Sequence, residues 1–598
     1  MKQRLASLAL AALPLLYLGQ VPAQAAPASG TTQSDAAYAA SFATSGVSNV
    51  FATTQRTSCY TPEAPYFTSD GPNDGYTGMS PCNGAANTGE DLGPYPSQAG
   101  SNAGYPAAGP MLVKDHSESD IRVDPTNPNH IIGTVKWFVS AEGYNHLLGF
   151  FESFDGGLTW PVQGHVPGYE GWTDNTDPVG AFDSFGNFYL LNLPYEFYYS
   201  PDGSHNFQIN QNKEPNPSVS PEVISIAVRP HGASTATDWI TQHAGHADIV
   251  APYDSKGLEP DKQWITIDTN PSSPFFNRVY ALWAVFDGCC TAKTFAAFAQ
   301  AFPDGTHSDW SVPVKLPDGS NNAQGTTYVL PHVDQDGVLY TPLTNTAPTA
   351  QYCCDKITMI KSTDGGASWT VTSVVADNIA APPGMYPNTT FRDGIETTFT
   401  VGPRKVNGHY PLYVAYEDYS SGSGSVALTA SFDGGLTWTA PISVNDNASP
   451  ADEFQPNLAA SASGTVSVNF YDRRLACPAQ GSAEAAAAGL ALDQANPRYA
   501  GSLPPYGATN YCVNASVQFF RANLTRAGHN IRLSQHGFDP QLNSPHTGCA
   551  ACARTFIGDY FGNDFSGTVS ISNFVSTYED GSNPAHYQQQ VVARVASP

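Results

Sequence analysis

Apolar and polar positions alternate along this chain in pairs of short runs, each pair joined by a turn containing Asp, Gly or Pro. A period of two puts every second side chain on one face, the pattern of a half-buried strand. Seven such hairpins can be traced: Ile121–Trp137, Ala181–Leu193, Ile265–Trp283, His332–Leu343, Phe399–Tyr416, Leu458–Tyr471 and Tyr560–Phe574. Their turns include Asp183-Ser184-Phe185-Gly186-Asn187, Asp334-Gln335-Asp336-Gly337 and Phe565-Ser566-Gly567. Gly in such turns supplies the positive φ of a tight reversal. Most copies begin about 60 to 70 residues apart, enough for a four-stranded sheet in each repeat. Few segments show helical periodicity; Ala483–Leu492 is the one stretch that predicts a short helix.

A second motif follows some of the hairpins. Ser153-Phe154-Asp155-Gly156-Gly157-Leu158-Thr159-Trp160 recurs verbatim at Ser431–Trp438, and with changes at Ser362-Thr363-Asp364-Gly365-Gly366-Ala367-Ser368-Trp369. Weaker echoes stand at Ser200-Pro201-Asp202-Gly203 and Pro303-Asp304-Gly305. The Asp can accept N–H groups of its own turn, the glycines allow the tight path, and the Trp folds back beneath it.

The S-x-D-G-G-x-x-W motif resembles the Asp-box of the sialidase-like (BNR-repeat) propellers, and the resemblance covers roughly 115–598. It implies an all-β fold, a single β-propeller, with seven blades preferred from the hairpin count and six as the alternative. It also implies that Asp155, Asp364 and Asp433 are structural. Their turns would join the third and fourth strands of a blade on one face. Ligands would then bind on the opposite face, where the connections into each innermost strand open.

Acids recur just before the innermost strands: Glu118 and Asp120, Asp174 and Asp177, Asp261, Asp393 and Glu396, Asp452 and Glu453, and Asp559. Crowded carboxylates can serve as general acid, general base or metal ligands, or can simply cap turns. Arginines fall nearby: Arg122, Arg392, Arg473, Arg474 and Arg554. Sialidases hold a substrate carboxylate with three arginines beside an acidic proton donor and a Tyr activated by Glu. By that resemblance Arg392, Arg473 and Arg554 form the anion clamp, and Asp120, Asp177 and Glu396 are the catalytic carboxylates. The chain departs from the family at Asp120-Ile121-Arg122-Val123, which lacks the proline of the Arg-Ile-Pro motif, and no Tyr–Glu pair is assigned by pattern, although Tyr386 and Tyr416-Glu417 are available. Trp137, Trp172, Trp283, Tyr416 and Tyr419 are candidates for stacking on sugar rings or for packing between blades.

The expected activity is glycan recognition at the face opposite the Asp-boxes, with exo-sialidase-like glycoside hydrolysis as its enzymatic form. Polysaccharide lyase chemistry on the same scaffold is another enzymatic form. The alternative class is a non-catalytic surface or protein-interaction propeller. No cofactor is required; an acidic surface is compatible with a structural divalent cation such as calcium.

The chain starts as an export signal does. Lys2 and Arg4 precede an apolar run from Leu5 to about Leu18, and Ala23-Gln24-Ala25 offers a cleavage site, so residues 1–25 are expected to be removed. A soluble periplasmic or extracellular protein without a transmembrane segment is expected, with a monomer favoured. The formal charge of −26 becomes about −28 without Lys2 and Arg4, which argues against nucleic-acid partners. Ten cysteines suit disulfides in an oxidising compartment. Cys59 and Cys82 fall in residues 26–114, read as an irregular extension. Cys289-Cys290 and Cys353-Cys354 would link neighbouring loops or pair vicinally, Cys477 and Cys512 bracket an insertion, and Cys549 and Cys552 form a C-x-x-C pair.

Overall fold

The structure is a computed structural model. It describes residues 32–42, 46–49, 116–138, 146–169, 174–195, 197–199, 213–215, 222–253, 258–287, 292–317, 325–346, 481–488, 512–540, 556–578 and 588–598, together with 356–479 apart from 385, 387–388, 390, 392, 395–396 and 449.

Seven small antiparallel sheets stand in a ring, the arrangement of a seven-bladed β-propeller. Blade 1 runs outward through His116–Asp124, Asn127–Phe138, His146–Ser153 and Val162–His165. Blade 2 uses Asp174–Phe182, Phe188–Tyr195, Glu222–Arg229 and Ile249–Tyr253, and blade 3 uses Leu258–Ile267, Arg278–Asp287, Ala292–Gln300 and Val314–Lys315. In blade 4 the innermost strand is broken into Gly325–Thr327 and His332–Val333, both paired with Leu339–Thr346, and Lys356–Ser362 and Thr370–Asp377 follow. Blade 5 holds Thr398–Val401, Leu412–Asp418, Ser425–Ser431 and Ile442–Ser443; blade 6 holds Glu453–Ala460, Val466–Asp472, Asn514–Phe520 and Arg526–Arg532. All seven hairpins read from the alternation are the inner two strands of a blade.

The ring closes with a strand from far upstream. Blade 7 consists of Gly562–Ser566, Val569–Ser576 and Gln589–Ala596, and its outermost strand is Gly46–Asn49, paired from Gly46↔Arg594 to Asn49↔Val591. Part of the segment expected to be an irregular extension is therefore built into the propeller. Just before it, the helix Asp35–Ser41 starts on Ser34, whose side chain accepts from the Ala37 N–H, and packs on the outer strand of blade 6.

The three Ser-x-Asp-Gly-Gly turns lie between third and fourth strands, where the resemblance implied them. Gly157 N–H donates to Ser153 Oγ (2.8 Å), and Leu158 and Thr159 N–H donate to Asp155 Oδ1 (3.0 and 2.9 Å). The same bonds recur at Asp433. Trp160 packs edge-on to Phe151 at 4.9 Å, and Trp438 Nε1 reaches across to Ser373 Oγ of blade 4 at 2.9 Å. These turns thus tie each blade's corner to its own core or to its neighbour.

Between blades, apolar side chains alternate inward and form a continuous core from Tyr189 and Leu191 through Trp283 and Met359 to Phe399. Trp283 is fully buried and its Nε1 donates to Tyr253 Oη at 2.5 Å, while Tyr416 is 4 % exposed in the same core. Neither is placed to stack on a ligand. The insertion in blade 6 is stapled by Cys477–Cys512 with Cα atoms 5.2 Å apart, and the predicted helix in it runs over Ala483–Ala487. The other eight cysteines lie outside the described residues.

Candidate functional site at the channel mouth

The innermost strands of five blades are interrupted at the same place. Glu118, Asp177, Lys262, Tyr328 and Gln455 take positive φ of 48–57°, a conformation that non-glycine residues adopt rarely and at a cost. Each stands six residues before the residue that opens its hairpin turn: Asp124, Asp183, Asp268, Asp334 and Ser461. Ladder registers slip there in blades 1, 2, 3 and 6. A bulge re-aims its side chain and ends regular pairing. Counted the same way, Glu396 precedes Gly402 and Tyr560 precedes Ser566 by six.

The re-aimed side chains meet across the ring. Tyr560 Oη donates to Asp177 Oδ2 at 3.2 Å, and Lys262 Nζ lies 2.5 Å from Asp559 Oδ2 and 5.5 Å from the Tyr560 ring centroid. Blades 2 and 3 are not neighbours of blade 7, so these contacts span the channel axis. Lys136 Nζ, from the second strand of blade 1, adds a 3.3 Å contact to Asp177 Oδ1. Gln263 Nε2 donates to the Asp177 carbonyl, Gln455 Nε2 to that of Gly558 at 2.8 Å, and the Asp559 N–H to Glu118 Oε1 at 3.3 Å.

Electrostatics divides these acids into two kinds. Burial alone would raise Asp177, but Lys136 and Lys262 outweigh it and hold the carboxylate well below its ordinary range. Glu118 is pushed far up, by burial first and by Asp177 next. One of the two neighbouring acids is thus kept ionised and the other kept protonated. Burial, partly offset by Lys262 and reinforced by Asp177, lifts Asp261 to about 6. The Asp261 side chain is 32 % exposed, whereas those of Lys262, Asp559 and Asp177 are below 10 %.

Asp559 also faces a second group of acids, over blades 5 and 6. Burial, with Asp559 adding to it, lifts Asp393 to about 7. Tyr386 Oη donates to Glu417 Oε2 at 3.3 Å, and the Gln455 N–H donates to Glu417 Oε1. Tyr386 is 2 % exposed, ringed by Phe391, Tyr419 and Phe454, and burial and the acids keep its phenol far above its ordinary range.

Of the catalytic candidates, Asp177 lies in the cluster. Asp120 lies apart from it: its Oδ2 accepts the Gly180 N–H at 2.9 Å, its Oδ1 lies 2.8 Å from Arg122, and it is fully buried between blades 1 and 2. Arg473 lies 2.6 Å from Asp452. Arg474 is sealed on the outer side between blades 5 and 6 by Asp446, Asp472 and Asn530. Arg392, Glu396 and Arg554 lie outside the described residues, as do the side chains of Asp174, Trp137 and Trp172. Sequence reasoning missed Lys136, Lys262 and Tyr560, and named Tyr386 and Glu417 without pairing them. The constant six-residue offset from the hairpin turn would have found Lys262 and Tyr560.

No family model and no curated protein matches the chain. Among solved structures, it resembles a protein of unknown function from Dyadobacter fermentans (10 % identity, TM-score 0.39, 81 % of this chain and 96 % of that one). It also resembles a polysaccharide lyase (10 %, TM-score 0.39, 83 % and 92 %). A third is a sialidase of Streptococcus pneumoniae (10 %, TM-score 0.35, 82 % and 70 %). These similarities are of overall fold.

Proposed function

We propose that this protein is an exported, glycan-active β-propeller that cleaves glycosidic bonds at the channel mouth, with Asp261 as proton donor. One observation carries the reading. Within a buried cluster of acids, lysines and tyrosines, Asp261 keeps a partly exposed carboxyl group, and burial lifts its pKa to about 6. A proton donor needs a raised pKa and access to the leaving oxygen, and a neighbouring acid of opposite protonation state is the usual companion. Asp177, held ionised by two lysines, supplies the negative charge that an oxocarbenium-like transition state requires. The Asp-box resemblance supports the same substrate class. The basic and apolar start of the chain supports export.

The sialic-acid form of this reading needs an arginine clamp. Arg473 is already paired with Asp452, so the clamp would rest on Arg392 and Arg554. Arg474, spent between blades, favours a second reading in which the propeller only docks.

The test is a panel of glycosides and glycans offered to the mature protein, with Asp261→Asn beside the wild type. Cleavage that falls by about 100-fold or more in kcat in the variant, with binding retained, supports the proposal. A wild type that binds glycans and cleaves none of them supports docking instead.

A further inference from the structure

On the opposite face, two connections between third and fourth strands bring histidines together. The hairpin Gln242–His243 and His246–Ala247 projects from blade 2, and the chain passes through Asp248 into Ile249–Tyr253. The corresponding connection of blade 3, which carries the weak Asp-box echo at Pro303-Asp304-Gly305, brings His307 and Asp309. The rings of His243 and His307 stack at 4.8 Å with 10° between planes. Asp248 and His307 are 3 % and 4 % exposed.

Hydrogen bonding decides which nitrogens are free. His307 Nδ1 lies 2.7 Å from the Ser308 carbonyl, which can only accept, so Nδ1 carries its proton. His243 Nε2 lies 2.8 Å from Asp309 Oδ1, again an acceptor, so Nε2 carries its proton. The lone pairs left are His307 Nε2 and His243 Nδ1. His307 Nε2 faces Asp248 Oδ2 at 2.7 Å, a lone pair against a carboxylate, which is repulsive unless a positive species joins them. A proton on Nε2 would meet that need for His307 and Asp248 alone. It leaves the second histidine, with its own lone pair in the same cluster, without a role. One donor atom from each of His243, Asp248 and His307 lies within 4.8 Å of the others.

We infer that His243, Asp248 and His307 bind a divalent transition-metal ion of the zinc type, which bolts the blade 2 hairpin to the blade 3 corner. Two imidazoles and one carboxylate are donors for zinc-like ions, whereas calcium takes an all-oxygen shell. Each histidine already gives its other N–H to a carbonyl or a carboxylate, the arrangement that orients metal-bound imidazoles. Trp310 and Tyr189 flank His307 with ring centroids at 5.6 and 6.3 Å, and His307 is buried. His243, with its side chain 31 % exposed, is held by its bond to Asp309. This site lies away from the channel mouth and does not depend on the reading of that mouth.

The experiment uses the full mature chain after chelator treatment, titrated with Zn2+ by calorimetry and followed by thermal unfolding. Co2+ serves as a spectroscopic probe of the same site. One Zn2+ per chain, a rise in Tm on its addition, and tetrahedral Co2+ bands are expected. His243→Ala and Asp248→Asn should each weaken Zn2+ binding by about tenfold or more and abolish the Tm rise. Binding that is absent, or unchanged in both variants, overturns the proposal. If His243→Ala fails to fold, Asp248→Asn and the wild-type Co2+ spectrum decide. A His307 imidazolium that persists by NMR with Zn2+ in excess would show that a proton fills the position.

Discussion

The guanidinium carbon of Arg474 lies 4.2 Å from the centroid of the Tyr38 ring, joining the N-terminal helix to the loop that leaves the second strand of blade 6. Tyr38 is fully buried, and its hydroxyl bonds Ser516 Oγ. Arg474 in turn holds Asp446 of the preceding blade at 2.8 Å. One side chain from the segment before the propeller thus completes a charge cluster between two of its blades.

Tyr38→Ala should destabilise the protein by about 3–5 kcal/mol, through the cavity and the exposed guanidinium face. Deletion through Asn49 should cost more, because it also strips the outer strand from blade 7 and leaves an open edge. Denaturant unfolding of the two forms measures both effects.

Lys262→Met should cost about 3–5 kcal/mol, since it removes the buried cation facing Asp559 and one of the two cations holding Asp177 ionised. The double variant Lys262→Met/Asp559→Asn should recover part of the loss. Chemical denaturation of the single and double variants provides the cycle.

Asp261 predicts a pH profile. Its raised pKa means that the donor is protonated below about 6 and loses its proton above it, so kcat/KM should fall as pH rises through that value. The descending limb should vanish in Asp261→Asn. A profile with the same limb in wild type and variant would remove Asp261 from the mechanism.

His130 predicts a pH-dependent stability. Its Nδ1 lies 3.0 Å from Asp124 and its Nε2 2.8 Å from Glu152, which Arg229 also grips at 2.6 Å. Burial opposes the charged ring, but the two carboxylates win and raise its pKa. A raised folded value means the stabilisation is fully present below the unfolded pKa near 6.5 and is lost as pH rises through the folded value. His130→Gln should therefore cost about 2 kcal/mol at pH 6, and the deficit should shrink at higher pH. Paired unfolding curves across that range test the sign.

Cys477 and Cys512 close a loop with a sequence separation of 35, so Cys477→Ser/Cys512→Ser should cost about 3–4 kcal/mol by loop entropy. Thermal unfolding of the double variant measures the loss.

Much of the fold was legible because strands and turns are local. Alternation placed the inner hairpins, and the Ser-x-Asp-Gly-Gly pattern placed the corners, where Asp155 bonds residues three and four positions on. The site was less legible. Asp120 and Asp177 look alike in sequence, yet one is consumed by Gly180 and Arg122 while the other meets Lys136 and Tyr560. Little local distinguishes them: Arg122 stands two positions from Asp120, but Gly180 is 60 residues from Asp120, and Lys136 and Tyr560 are 41 and 383 residues from Asp177. Lys262 was overlooked because a charged residue before a strand reads as solvated surface unless the bulge that turns it inward is known.

The chain alone determined the all-β repeat, the number of hairpins and the turns around Asp155, Asp364 and Asp433, since each depends on neighbours within a few positions. Closure of the ring by Gly46–Asn49, burial of Tyr38 against Arg474, and the protonation states at the channel mouth were decided only in three dimensions. A strand finds its distant partner, and a carboxyl group its pKa, through groups that the fold brings close and the order of residues does not.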